Sequence, residues 1–293
     1  MPSPAWPAAR STAITSGRSW MYSPPRDPAT EQSMHAAFTA AAGALDVTPT
    51  GPTVWGWHGR TLSRRADHLR HGACWLRLVS APAGKQGGKI WEGTAAASVL
   101  DGTVSKPALY AVHDQVVDDT AYRAELTQYI DAPTCSPDPV VRSPLELPPT
   151  WWKQLRADLD RIATVDTDRV AVRQEWIDRV VPQYTGCAAP RITEWTTAHG
   201  DLHLANITTS GVILDWEGWG LAPAGYDAAL LLAYSLREPS LADQVRETFG
   251  DLITGESGRA VMLVVVADLL QSASRGDHPD LEPALRRLLE GRP

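Results

Sequence analysis

The chain has 293 residues, 43% hydrophobic and 21% charged, an ordinary composition for a globular protein with a sizeable core. Its net charge of −7 argues against the basic stripe of a nucleic-acid binder, and the longest apolar run, Ala260 to Ala267, is too short to span a bilayer. Cys74, Cys135 and Cys187 form no C-x-x-C pair, and no apolar leader follows a basic start, so the expectation is a cytoplasmic protein with reduced thiols and no membrane partner.

Residues 1–33 hold six prolines and no sustained hydrophobic period; they read as a disordered extension, with Met34 opening the folded part. The alanine-rich stretch Met34–Leu45 reads as a helix. Short β-like runs follow at Thr53–His58, Thr61–Arg65 and Ala73–Val79, divided by glycine and polar residues. Lys89–Leu100 reads as a helix, and Ala108–His113 and Tyr122–Ile130 as two further strands. Residues 34–131 therefore make a small sheet-based lobe.

Six prolines between Pro133 and Pro149 mark residues 132–149 as a linker or crossing loop. From 150 to 293 the pattern is helical outside one motif. Thr150–Thr164 and Val170–Tyr184 place apolar residues at helical spacing, with Thr150 and Asp168 as N-caps. Pro223–Leu236, Ser240–Ile253, Glu256–Ser274 and Pro279–Glu290 complete the larger lobe.

The motif is His199-Gly200-Asp201-Leu202-His203-Leu204-Ala205-Asn206, followed by Val212-Ile213-Leu214-Asp215-Trp216. Phosphoryl transfer from ATP needs a carboxylate to accept a hydroxyl proton, and an amide plus a carboxylate to hold magnesium on the phosphates. Asp201 fits the first task. Asn206 and Asp215 fit the second, being hard oxygen donors suited to Mg2+. A tight hairpin, Asn206–Thr208 and Val212–Asp215 around Thr209-Ser210-Gly211, would turn both metal ligands to one cavity. No G-x-G-x-x-G or Walker A pattern is present, which argues against a P-loop fold.

Protein kinases write this kit as H-R-D-x-x-x-x-N and D-F-G. The form H-G-D-x-H-x-x-N with a later I-D-W resembles the aminoglycoside phosphotransferase and choline kinase family. The resemblance covers Thr196–Leu232 most closely and extends over Trp75–Ile130. It implies an α+β, two-lobed protein-kinase-like fold with a small antiparallel-sheet N-lobe and a larger, mainly helical C-lobe. It also implies ATP and Mg2+ as cofactors and transfer of the γ-phosphate to a hydroxyl of a small acceptor, cationic or antibiotic-like.

The same resemblance casts His199 and Asp227 as supports of the catalytic loop. His203 stands where protein kinases place the lysine of H-R-D-L-K; a phosphate contact and a loop hydrogen bond are both open to it. Arg77 takes the place of the usual phosphate-binding lysine with Glu92 as its carboxylate, and Lys85 and Lys89 are fallbacks. The loop Gly56-Trp57-His58-Gly59-Arg60 would cover the phosphates. Adenine would meet backbone around Gln128 and Ile130, at the join between lobes. Glu217, Glu175 and Asp178 could meet a cationic acceptor.

Two other classes compete. His199, Asp201 and His203 form an H-x-D-x-H array that a metal-dependent phosphoesterase or other hydrolase could use, although the remaining histidines form no comparable motif. A catalytically inactive nucleotide-binding protein of kinase-like fold would suit the arginine at position 77, but Asp201, Asn206 and Asp215 are all intact. The sequence leaves the acceptor, ATP versus GTP, and the oligomeric state open.

Overall fold

The computed structural model describes residues 23–291, which form two compact units. The first comprises the chain up to Gln86 together with Tyr110–Tyr129; the second comprises Gly87–Leu109 and Ile130 onward.

The sheet unit opens with helix α1, Pro28–Ala44, six residues before the expected start at Met34. The carboxylate of Asp27 caps it, accepting from the backbone N–H of Ala29 and Thr30, and Pro28 occupies the first turn, where a missing N–H costs nothing. The expected extension is therefore helical from residue 28, and the part of that expectation covering residues 1–22 lies outside the described residues. Met34, Ala37, Phe38, Ala41 and Ala42 recur at helical spacing and are all buried.

These residues cover one face of a six-stranded antiparallel sheet. The strands are β1 Val47–Pro49, β2 Val54–Trp55, β3 Thr61–His68, β4 Gly72–Pro82, β5 Leu109–Val117 and β6 Thr120–Gln128. Their order is β1-β3-β4-β6-β5, with β2 beside β3. The run expected to reach His58 as a strand stops at Trp55, and Trp57–Gly59 forms a 3-10 turn instead. Leu62, Ala66, Cys74, Leu76, Leu78, Tyr122, Ala124 and Leu126 point into the α1 core. By the period-two rule Ser63, Trp75, Arg77, Glu125 and Thr127 occupy the opposite face.

The helical unit contains α2 Lys89–Ala96, α3 Pro149–Ala163, α4 Gln174–Thr185, α5 Tyr226–Ser235, α6 Pro239–Ile253, α7 Gly255–Ser274 and α8 Glu282–Leu289. Residues 87–109 sit with it and not with the sheet: Ala97, Leu100 and Val104 are buried in the helical core, and Gly93 is buried on α2. A Cβ at Gly93 would lie 2.3 Å from the carbonyl oxygen of Glu217. The expected N-caps differ as well: Pro148 precedes α3 and Arg173 precedes α4, neither giving a side-chain cap bond. Ahead of α4, the N–H groups of Ala171 and Val172 bond instead to the carbonyl of Leu221.

Two features of this unit had no sequence expectation. A two-stranded ribbon pairs β7, Trp195–Ala198, with β8, Gly220–Pro223, so that Ala198 faces Gly220 and closes the motif into one loop. The proline-rich segment 133–148 has no regular structure but is bonded into the unit: Cys135 N–H reaches Ile207 O, Ser136 N–H reaches Leu204 O, and Val141 N–H reaches Tyr234 O.

Removing a large side chain from the α1 core tests that helix's part in the fold. Phe38→Ala is expected to cost about 3 kcal/mol or more in urea denaturation followed through the sheet unit. A loss below about 1 kcal/mol, well short of that range, would remove α1 from the core.

Candidate active site

The motif is held by its apolar members. Leu202, Leu204, Ile207 and Ile213 are at most 1% exposed, and their burial leaves Asp201 on the surface and Asn206 half-buried between them. The expected hairpin is present: Leu214 N–H bonds Asn206 O, Thr208 N–H bonds Val212 O, and Gly211 closes the turn on Thr208 O. Leu214, the neighbour of Asp215, is thereby tied to Asn206.

Asp227, at the start of α5, is buried and accepts two backbone hydrogen bonds. The N–H of His199 reaches Oδ2 at 2.6 Å and that of Gly200 reaches Oδ1 at 2.9 Å. Burial pushes its carboxyl upward while these two donors and His199 pull against it. The His199 ring is fully buried, with Nε2 2.8 Å from the carbonyl of Leu214 and its plane edge-to-face on Trp216. The two residues expected to support the loop thus touch its backbone on either side of Asp201.

Gly200 explains why this chain lacks the kinase arginine. Its φ is +84°, and a Cβ there would lie 2.8 Å from the carbonyl oxygen of Gly218 and 3.1 Å from Ala171 Cβ. Asp215 adopts φ +60° without glycine's freedom, a strained conformation of the kind that collects at functional sites. Its exposed carboxylate bonds to none of the described residues, so its oxygens are free for an external ligand.

Asn206 Nδ2 donates to Asp201 O at 3.0 Å and lies 3.4 Å from Asp201 Oδ2. The nitrogen faces the loop, which turns the amide oxygen away from it. One free carboxylate and one amide oxygen suit magnesium, which takes few protein ligands and fills its shell with phosphate oxygens and water. The H-x-D-x-H array does not assemble in the way the hydrolase alternative needs. His199 points at Leu214 O and His203 at Asn206. Among the described residues no group of three or more His, Cys, Asp or Glu could hold a metal.

The tip of Asp201 is open, yet surrounding protein desolvates its carboxylate and raises the pKa; His199 and Asn206 oppose the rise. A more basic carboxylate is a better proton acceptor. His203 is buried, and burial lowers its pKa to about 4. Of the two roles open to it, the geometry supplies the hydrogen bond within the loop.

In the sheet unit Arg77 Nη1 bonds Glu125 Oε2 at 2.8 Å, directly across β4 and β6. Glu125, 1% exposed, is a carboxylate partner that sequence reasoning missed; its signal was a register that cannot be read before the strands are paired. Gln128 ends β6 opposite Cys74, and Ile130 begins the second stretch of the helical unit. Glu92 lies on α2, and Lys89 Nζ bonds Ala171 O at 2.6 Å, its pKa lowered by burial and by Arg173. Lys85 is exposed.

Glu217 is half-buried, with its carbonyl taken by Arg169 at 3.0 Å. Glu175 and Asp178 are exposed on α4, and Asp178 accepts from Gln174. The structure offers a different carboxylate, Asp268 on α7, which accepts from Tyr226 Oη at 2.9 Å. Burial raises its pKa, and the charge of Asp201 raises it further. Its signal in the sequence was a carboxylate ending the apolar run Ala260–Ala267. An open cavity of about 450 Å³ lies elsewhere, lined by Asp166, Asp168, Trp195 and Leu221 among others, and contains none of the motif's side chains.

Losing the charge behind the two bonds of Asp227 costs about 1.5–3 kcal/mol. Asp227→Asn is therefore expected to lower the melting temperature by several degrees and to lower turnover with it. Unchanged melting and turnover would show that the loop holds its shape without that carboxylate.

The chain resembles a thermostable mutant of aminoglycoside phosphotransferase APH(4)-Ia, solved as a ternary complex with ADP and hygromycin B. The TM-score is 0.59 at 12% identity, over 87% of this chain and 97% of that one. It also resembles an amicoumacin kinase solved with AMP-PNP, Ca2+ and its antibiotic, with TM-score 0.55, 11% identity, and 89% and 96% of the two chains covered. A spectinomycin phosphotransferase, APH(9)-Ia, solved with ADP and spectinomycin, matches with TM-score 0.52 at 13% identity over 87% and 91%. These likenesses establish the two-lobed α+β fold of protein-kinase type. No curated protein matches the chain. The family model for phosphotransferase enzymes (APH) matches residues 84–262, and the chain belongs to that family.

Proposed function

We propose that this protein is an ATP-dependent small-molecule kinase that moves the γ-phosphate to a hydroxyl of a small, amine-bearing acceptor. The observation that carries the reading is the joint placement of Asp201, Asn206 and Asp215. One loop carries all three, Asp227 fixes its backbone, and the Asp215 carboxylate makes no hydrogen bond among the described residues.

In the reaction Asp201 orients the acceptor hydroxyl and takes its proton as the oxygen attacks the γ-phosphorus, while the bond to the bridging oxygen breaks and ADP leaves. The transition state of such transfers is loose, so positioning counts for more than basic strength. Asn206 and Asp215 would hold magnesium, which when bound would neutralise charge on the phosphate oxygens. Arg77, steadied by Glu125, is the cation read here for the nucleotide phosphates; its guanidinium offers a fork where the family uses an ammonium.

Support for a cationic acceptor comes from the helical unit and from the fold's other bearers. Asp268 is raised by burial and by the charge of Asp201, and the charges of Arg275 and Lys89 offset only part of that rise, without a direct ion pair to Asp268 among the described residues. An ammonium placed beside Asp268 would relieve the rise that burial and the charge of Asp201 cause there. Structures of the same fold carry hygromycin B or spectinomycin, which makes an aminoglycoside-like antibiotic the leading acceptor, with a cationic metabolite next.

A pooled library of aminoglycosides, amino alcohols and sugar alcohols, incubated with Mg·ATP or Mg·GTP and read by mass spectrometry, tests the reading. The expected result is an acceptor heavier by one phosphate, formed by the parent and not by Asp201→Ala, while nucleotide affinity in Asp201→Ala stays near that of the parent. Equal loss of nucleotide binding would give Asp201 another role, and phosphate release without an acceptor product would point to a hydrolase.

A further inference from the structure

His203 takes no part in the transfer just described, yet it is 7% exposed and packed against the amide of a metal ligand. Its Nε2 lies 3.2 Å from Asn206 Nδ2. The same nitrogen donates to Asp201 O and faces Asp201 Oδ2. With two acceptors of Asp201 on one side, the amide must present its nitrogen there, and His203 can then only accept. Asp201 Oδ2 stands 3.7 Å from the same Nε2, beyond hydrogen-bond reach, so the imidazole proton is assigned to Nδ1. That atom is buried and has no nitrogen or oxygen partner among the described residues.

The imidazole is also kept from swinging away. Tyr234 stands edge-to-face against it with centroids 5.4 Å apart, and His278 stands edge-to-face against Tyr234 at 6.0 Å. His278 Nδ1 is 3.6 Å from Asp138 Oδ1, which accepts from Val140 N–H and from Arg142 Nη1. Arg142 in turn forks onto Asp280 at 2.6 and 2.8 Å. The proline-rich segment and the 3-10 turn Pro279–Leu281 thus build a wall behind His203.

We propose that His203 is a positioning residue for Asn206: by accepting from the amide nitrogen it keeps the amide oxygen turned outward, toward the metal. This rests on reading Asn206 as a magnesium ligand. A lysine at this position, as in H-R-D-L-K, could only donate and would favour the flipped amide. Groups that orient a metal ligand in this way are worth roughly 10- to 100-fold in metal affinity.

The test is the affinity of Mn2+ for the protein saturated with ADP, measured by electron paramagnetic resonance. Four variants are compared with the parent: His203→Leu, His203→Gln, His203→Lys and Asn206→Ala. Expected is a loss of roughly tenfold or more in His203→Leu and His203→Lys, and near-parent affinity in His203→Gln, whose amide oxygen can accept at similar reach. Turnover of His203→Leu is expected to recover at high metal, a split that a misfolded loop would not show. Parent-like affinity in His203→Leu beside a weakened Asn206→Ala would overturn the role of His203 alone. Unchanged affinity in Asn206→Ala would overturn the metal assignment beneath it. If His203→Leu fails to fold, equal affinities of the Gln and Lys variants would overturn the proposal.

Discussion

A single buried carboxylate organises the helical unit's chemistry. Asp227 takes the backbone N–H groups of His199 and Gly200 on its two oxygens, which fixes the plane of two successive peptides just before Asp201. A carboxylate buried without donors would be costly; with two charge-assisted bonds it becomes a rigid bracket. The loop behind it then needs little further order. Four buried apolar side chains pin it to the core, and the β7–β8 ribbon draws its two ends together.

The same economy shapes the segment after Asp215. Arg169 reaches the carbonyls of Glu217 and Trp219 and lies over the Trp219 ring, while Trp219 Nε1 bonds the carbonyl of Gly93. At Gly93 and Gly200 alike an added Cβ would run into the backbone of Glu217 or Gly218. Close backbone approach is the reason for Gly93, and at Gly200 a positive φ adds to it. Three stretches far apart in sequence, around residues 93, 169 and 218, are therefore packed into one support for the segment that follows Asp215.

Much of this was legible in the sequence, because local chemistry wrote it. Helical spacing gave α3, α5, α6 and α7 to within a few residues, and the Asp201, Asn206, Asp215 spacing gave the loop and its hairpin. What stayed hidden depended on tertiary pairing. Trp195–Ala198 and Gly220–Pro223 are four residues each, and the second reads as a turn until its partner is known. Glu125 could not be matched to Arg77 without the register of β4 and β6. Residues 28–33 read as part of a proline-rich extension because Pro28 counts as a breaker until the cap at Asp27 shows that it begins a helix. For His203 the sequence leaves a phosphate contact and a loop hydrogen bond open, and only its burial and its approach to Asn206 separate them.

The central claim is that Asn206 and Asp215 grip one metal ion beside Asp201. Anomalous diffraction from crystals grown with Mn2+ and AMP-PNP would locate the ion directly. The account predicts one manganese with the amide oxygen of Asn206 and a carboxylate oxygen of Asp215 at about 2.1 Å, and with Asp201 outside its shell. Manganese held by His199, Asp201 and His203, or lying away from positions 206 and 215, would contradict it.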